Sequence, residues 1–213
     1  MRRALLVTIP LLVAAAALCF AADKVKAFDE GLLDPAWFGD GVGPFLATEE
    51  IDYLWVKDGF TIKDKTIKIE PWDEFKFLQP KKRDSKDAAK AGELTDVMPS
   101  RLRGALSQSL DGVAKVSKED GDILLKGRFV DVNAGSKAAK WLVGFGAGAA
   151  TATWDLKFVD KASGEVVAAL HHRAISGTNM SEIDDKIAKW LDRFGLELKS
   201  DLITYKNGKT PKK

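Results

Sequence analysis

His171 and His172 are the only histidines in the 213 residues, and they stand side by side. Imidazole is the side chain best suited to proton transfer or metal ligation near neutral pH. Neighbouring residues on a strand point to opposite faces, so this pair cannot close on one metal. A catalytic histidine also needs a nucleophile and an orienting acid. Ser163 and Ser176 lie near turns and follow no nucleophile-elbow pattern. The residues are therefore read as ordinary surface or half-buried histidines. Carboxylates gather in "SKEDGD" (117–122) and "SEIDD" (181–185). The first has the composition of a turn, and the second that of a helix first turn, where acids complement the dipole. Neither is a metal loop, and Asp122 and Asp131 flank one strand with no need to meet.

The stretch "KWLVGFGAGAATATW" (140–154) offers a different chemistry. A phosphate-cradling P-loop needs a lysine and a hydroxyl directly after its glycines, and Gly144, Gly146 and Gly148 are followed by neither. A dinucleotide turn must open a helix, whereas these glycines lead toward a strand. No nucleotide, metal or other cofactor is expected. Lys140, Trp141 and Phe145 remain as candidate binding residues, for a partner or a lipid patch. The segment is too short and glycine-rich to span a bilayer and lacks the charged face of an interfacial helix. Packing of Trp141, Leu142 and Phe145 into the core outweighs membrane contact, with the glycines allowing close backbone approach.

The N-terminus bounds where such residues would act. Arg2 and Arg3 precede the uncharged run "ALLVTIPLLVAAAALCFA", which ends in a small-residue exit at Cys19 and Ala21. This is the pattern of a secretory signal peptide, expected to be cleaved after residue 21. Leu18 before Cys19 argues against a lipid anchor on that cysteine. Export leaves the mature chain without cysteine, so disulfides and thiol chemistry drop out. Of 33 Lys plus Arg, two fall in the signal, leaving 31 against 31 Asp plus Glu. A net charge of zero gives no reason to expect nucleic-acid binding.

The elements that must position these residues follow from periodicity. Residues 22–50 are rich in Gly, Pro and Asp, and are expected as an irregular leader. In "IDYLWVKDGFTIKDKTIKIEPW", Asp58-Gly59 between alternating apolar residues predicts a hairpin. "LQPKKRDSKDAAKAGE" has the composition of a surface connection or a loose first helix. Thr95 or Asp96 is expected to cap a firm helix, with Pro99 in its first turn and Leu102, Leu106, Leu110 and Val113 on its apolar face. "DILLKGRFVDV" predicts a strand with Ile123, Leu125 and Phe129 on one side and Leu124, Lys126, Arg128 and Val130 on the other. "ATWDLKFVD" places Trp154, Leu156 and Phe158 inward and Asp155 and Lys157 outward. A turn at Gly164 leads into "VVAALHHRAI" as the returning strand. Ser181, with Asp184, would cap a closing helix whose stripe is Ile183, Ile187, Trp190 or Leu191, Phe194 and Leu198.

"GDILLKGRFVDVNAGSKAAKWLVGFGAGAATATWDLKFVDKASGEVV" resembles a bacterial family of exported proteins catalogued as the 4410 domain of unknown function. The resemblance rests on Gly127, on Gly144 to Gly148, on Asp160 and on Gly164. "YLWVKDGFTIKDKTIKIEPW" is similar to the family's opening segment, with Asp58 where proline and Asp64 where an aromatic is usual. The likeness covers roughly residues 51 to 198. It implies a secreted or periplasmic α/β domain and brings no catalytic residues.

The expected fold is α+β, a two-layer sandwich with a mostly antiparallel sheet covered by two helices in strand-helix-strands-helix order. A single domain over 51–203 would follow the leader, and 204–213 would form a basic flexible tail. The expected role is an exported, periplasmic or secreted, non-catalytic module that binds an envelope component or a partner protein. A carrier or sensor of a small apolar ligand, or a hydrolase using His171 or His172, are the alternatives.

Overall fold

In the computed structural model, residues 31–48, 51–135, 149–175 and 193–202 are described. The chain divides into Met1–Gly31 and Leu32–Lys213, and all that follows concerns the second unit. Its elements are a one-turn helix α1 (Pro35–Phe38), β1 (Tyr53–Val56), β2 (Thr66–Ile69), a 3₁₀ turn (Pro80–Lys82), α2 (Ser85–Ser109), β3 (Lys115–Ser117), β4 (Ile123–Asn133), β5 (Thr151–Asp160) and β6 (Val166–Ile175). Residues 193–202 are helical and are called α3.

Alternation of apolar and polar residues makes β4, β5 and β6 the long strands, and they pair as an antiparallel meander. The turn between β5 and β6 closes where expected. Gly164 donates to the Asp160 carbonyl at 2.8 Å with φ of 73°, a conformation that favours glycine. The six strands form one open, mixed sheet in the order β1-β6-β5-β4-β2-β3. β1 is antiparallel to β6, whereas β2 runs parallel to both β4 and β3. The α+β class agrees with the sequence pattern, and the parallel pairings of β2 depart from the mostly antiparallel sheet expected.

The hairpin predicted at Asp58-Gly59 is not formed. The tight turn exists, with Phe60 donating to the Lys57 carbonyl at 3.0 Å. Yet β1 and β2 lie on opposite sides of the meander. Leu54 and Val56 face the same side as Leu170 and Ala168 of β6, and Ile67 and Ile69 the same side as Ile123 and Leu125 of β4. Both pairs of side chains still lie in the one core.

The helix start also differs from expectation. It begins at Asp84, not at Thr95 or Asp96. The Asp84 carboxylate accepts from the Lys86 and Asp87 amides, and the Asp87 carboxylate accepts from the Asp84 amide. This reciprocal cap satisfies orphan donors of the first turn, so the polar stretch before Thr95 is helix with a solvated face. Pro99 lies inside the helix, where it has no N–H for the Thr95 carbonyl. It is among the buried residues of the helix.

One apolar core fills the space between the sheet and the helices. Ala91, Leu94, Met98, Leu102 and Leu106 of α2 meet Leu125, Phe129, Trp154, Leu156 and Leu170 of the sheet, and Phe194, Leu198 and Leu202 of α3 join them. Phe194 and Leu198 are thus buried as the closing-helix stripe requires. Ser181, Ile183, Asp184, Ile187, Trp190 and Leu191 lie outside the described residues. A β-bulge at Val130 shifts the phase of β4, since Phe129 pairs with Trp154 but Asp131 pairs with Thr153. Val130 is therefore the extra residue, and Asp131 continues the face that carries Arg128.

Candidate functional site

The face of the sheet turned away from α2 carries Trp55 and Tyr53 of β1, His171 of β6, Asp155 and Lys157 of β5, and Lys126 and Arg128 of β4. Register alone sets Asp155 opposite both Arg128 and His171. The Arg128 Nε and Nη2 donate to Asp155 Oδ2 at 3.0 and 2.8 Å, while His171 Nδ1 lies 2.7 Å from Asp155 Oδ1. Asp155 is fully buried, with His171 2% and Arg128 5% exposed. The cover is the chain at 34–38. Asp34 accepts from Arg128 Nη2 at 3.2 Å, and the Trp37 ring lies 4.7 Å from the Arg128 guanidinium and 4.2 Å from the Lys157 ammonium. Lys157 Nζ donates to the Trp37 carbonyl at 2.5 Å, and Trp37 Nε1 donates to Asp73 at 2.9 Å. Cation–π contacts of this kind are strongest where water is excluded.

Both histidines are buried, against the surface or half-buried placement expected for them. His171 is held by Asp155 and lies beside the Tyr53 ring at a centroid distance of 6.2 Å. His172, 6% exposed, sits on the core face between Trp154 and Phe194, at ring distances of 5.2 and 6.3 Å. The two do point to opposite faces. Among the described residues no group of three His, Cys, Asp or Glu could hold a metal. Asp155 does leave the helix-side core, as read from the alternation, but it is not solvated. Ser163 is engaged in the β5–β6 turn, donating to Asp160 at 3.0 Å.

His172 Nδ1 lies 3.1 Å from Asp52 Oδ2, and Asp52 also accepts from the Arg173 amide at 2.8 Å. Burial pushes the Asp52 carboxyl up, but the hydrogen bond and charge of His172 outweigh it and hold the group below its ordinary value. A carboxyl depressed by folding stabilises above its unfolded pKa and loses that contribution as pH falls through the folded value. Asp52→Asn is therefore expected to flatten the loss of stability below about pH 4, measured as urea midpoints across an acid pH series. An acid limb as steep as wild type would overturn this.

Two further polar contacts fasten the ends of the sheet. Arg83 Nε and Nη2 donate to the two carboxylate oxygens of buried Asp131 at 2.6 Å each, tying the 3₁₀ turn to the bulge. Asp201 of α3 accepts from the Thr48 hydroxyl at 2.6 Å and the Ile51 amide at 3.1 Å.

Beside α1 the same face opens into a groove of about 560 Å³, lined by Phe38, Asp40, Trp55, Lys57, Lys126, Lys157 and Glu165 among others. That volume suits a small ligand. Gly39 and Gly41 adopt φ of 102° and 84° at its rim. Lys57 pairs with Glu165 at 2.7 Å. Lys126 stands directly opposite Lys157 across the β4–β5 pair. Burial lowers the Lys157 ammonium pKa. The charge of Asp73 opposes this shift, while those of Lys126 and Arg128 add to it. Lys126 has no ion pair or hydrogen bond among the described residues.

Lys140, Trp141 and Phe145, the binding residues proposed from sequence, lie outside the described residues. Trp55, Lys57, Lys126 and Lys157 were not singled out as a site. Their only signal was the outward phase of Lys126 and Lys157 on two successive strands, which says nothing of register.

No curated protein matches the chain. Among solved structures it is similar to the PelC dodecamer from Paraburkholderia phytofirmans, at 10% identity over 68% of this chain and 94% of that one, TM-score 0.42. It is similar to protein XCC0632 from Xanthomonas campestris at 14% identity over 72% and 92%, TM-score 0.44. Lipoprotein GNA1162 from Neisseria meningitidis matches at 11% identity over 61% and 95%, TM-score 0.34. Residues 56–179, from the last residue of β1 to just beyond β6, match the model of the Domain of unknown function (DUF4410), and the chain belongs to that family.

Proposed function

We propose that this is an exported protein of the bacterial envelope that works by binding rather than by catalysis, and that the groove beside α1 is its binding surface. Export rests on Arg2, Arg3 and the apolar run that ends in a small-residue exit. The observation that carries the binding reading is the contrast between the two parts of one sheet face. Asp155, Arg128 and His171 are spent in a buried network that fastens residues 34–38. Lys126 and Trp55, beside them, line an open groove. A hydrolase would need His171 or His172 within reach of substrate, and both are enclosed. A carrier of a wholly apolar ligand draws no support from a groove lined by three lysines, an aspartate and a glutamate.

The test is a photoreactive residue placed in living cells at Lys57, in the groove, or at Lys115, on the far edge strand β3. Adducts of defined mass are expected from position 57 and not from 115. No adduct from position 57, or the same adducts from both positions, would overturn the reading.

A further inference from the structure

We propose that the groove binds a small anion carried on a flat ring, with a phosphate or carboxylate held between Lys126 and Lys157 and the ring against Trp55. This rests on the binding reading above and adds the chemistry of the ligand.

The register supplies the geometry. Trp55 pairs with Ala169, Ala169 with Lys157, and Lys157 with Lys126. These four residues form one row across β1, β6, β5 and β4, all on the same face. With strands about 4.8 Å apart, the row spans about 14 Å between its outer backbones, and the long side chains of Trp55, Lys157 and Lys126 all reach the one groove. An aromatic side chain marks one end and two cations the other. Ala169 itself is fully buried, and Val159 and Val166 line the groove that both ends share.

Charge supplies the chemistry. Like charges directly opposite on antiparallel strands destabilise the pair. One Lys157 donor is taken by the Trp37 carbonyl, which leaves two of the three that an ammonium carries. Lys126 keeps all three, with no partner among the described residues. Asp73, outside the groove's lining, offsets part of the charge at Lys157, and the acids that line the groove are placed elsewhere. Glu165 is paired with Lys57, and Asp40 belongs to the loop after α1. A bound oxyanion would turn the repulsion between Lys126 and Lys157 into a clamp. Lysine acts on phosphate and carboxylate as a point charge, so the anion's identity is left to the ring and to the groove's shape.

The experiment titrates the purified protein, freed of its signal by the host, with phenyl phosphate, benzoate and inorganic phosphate. Binding is followed by calorimetry and by the indole resonance of Trp55. Phenyl phosphate or benzoate is expected to bind saturably and to shift that resonance, whereas inorganic phosphate binds more weakly and leaves it in place. Lys126→Gln should weaken binding of the ring-bearing anions at least tenfold, as loss of a hydrogen bond to a charged group implies. Lys115→Gln should change it less than twofold. Without ligand, Lys126→Gln should melt no lower than wild type, because the variant removes a repulsion. Equal affinity of Lys126→Gln and wild type, equal losses in both lysine variants, or no saturable binding would overturn the proposal. The photoreactive residue at position 57, repeated in the Lys126→Gln background, separates the two readings. Undiminished adducts there sink the anion clamp and keep the binding module, whereas absence of adducts in both backgrounds sinks the module itself.

Discussion

Asp155→Ala is expected to destabilise the protein by about 3–5 kcal/mol, the usual cost of removing one partner from a buried ion pair. The carboxylate is fully buried and serves two cationic or proton-bearing groups at once, Arg128 through Oδ2 and His171 through Oδ1. Its loss leaves the guanidinium with Asp34 at 3.2 Å and the Trp37 ring, and the imidazole without its carboxylate. Since Arg128 also contacts Asp34 and the Trp37 ring, the segment at 34–38 should loosen in part, with Lys157 and Asp73 still holding Trp37. Urea unfolding gives the test: a lower midpoint with an unchanged slope reports lost stability. A loss below about 1 kcal/mol would mean that the network is solvated or already compensated by Asp34.

Gly127→Ala should cost about 1–3 kcal/mol by overpacking. A Cβ at this position would meet the Trp72 indole at 2.5 Å and the Leu156 Cδ2 at 2.7 Å. Trp72 cannot easily retreat, because it is buried and packs on Phe129 at a ring distance of 4.9 Å. The same urea assay measures the loss. If the clash is the cause, adding Trp72→Leu should make the second substitution far less than additive. Additive losses would place the cost in the backbone of β4 instead. The glycine that carried part of the family resemblance thus has a local reason: it makes room for a tryptophan lying across the middle strand.

How much of this was legible follows from the range over which each cause acts. The alternation in "DILLKGRFVDV", "ATWDLKFVD" and "VVAALHHRAI" is local, as is the glycine turn at Gly164, and β4, β5 and β6 stand where those patterns put them. The start of α2 was legible in part: Asp84 and Asp87 have capping-box spacing and the stretch reads as a surface connection or a loose first helix, but its solvated first turns do not show that it runs on into the helix at Thr95. The partners of β1 and β2 were not. Their pairing depends on which apolar faces share the core, and Asp58-Gly59 produces its turn without dictating what pairs after it. The covering of Arg128 and Lys157 depends on the chain at 34–38 folding over a sheet face that alternation marks only as polar. Alternation puts Lys157 outward and Lys126 on the side opposite Ile123 and Leu125, yet their meeting depends on the β4–β5 register, which the long connection between those strands leaves open.

The placement of β1 against β6 also governs the order of assembly. Asp52 and Arg173, joined by a hydrogen bond at this junction, are 121 positions apart. A chain made or exported from its N-terminus presents Tyr53, Leu54, Trp55 and Val56 before the strand that pairs with them exists. Sheets closed by such distant contacts fold on a millisecond-to-second scale rather than in microseconds. Until β6 arrives, this short apolar strand has no strand partner on either side, and a holding chaperone or a neighbouring unfolded chain can engage it.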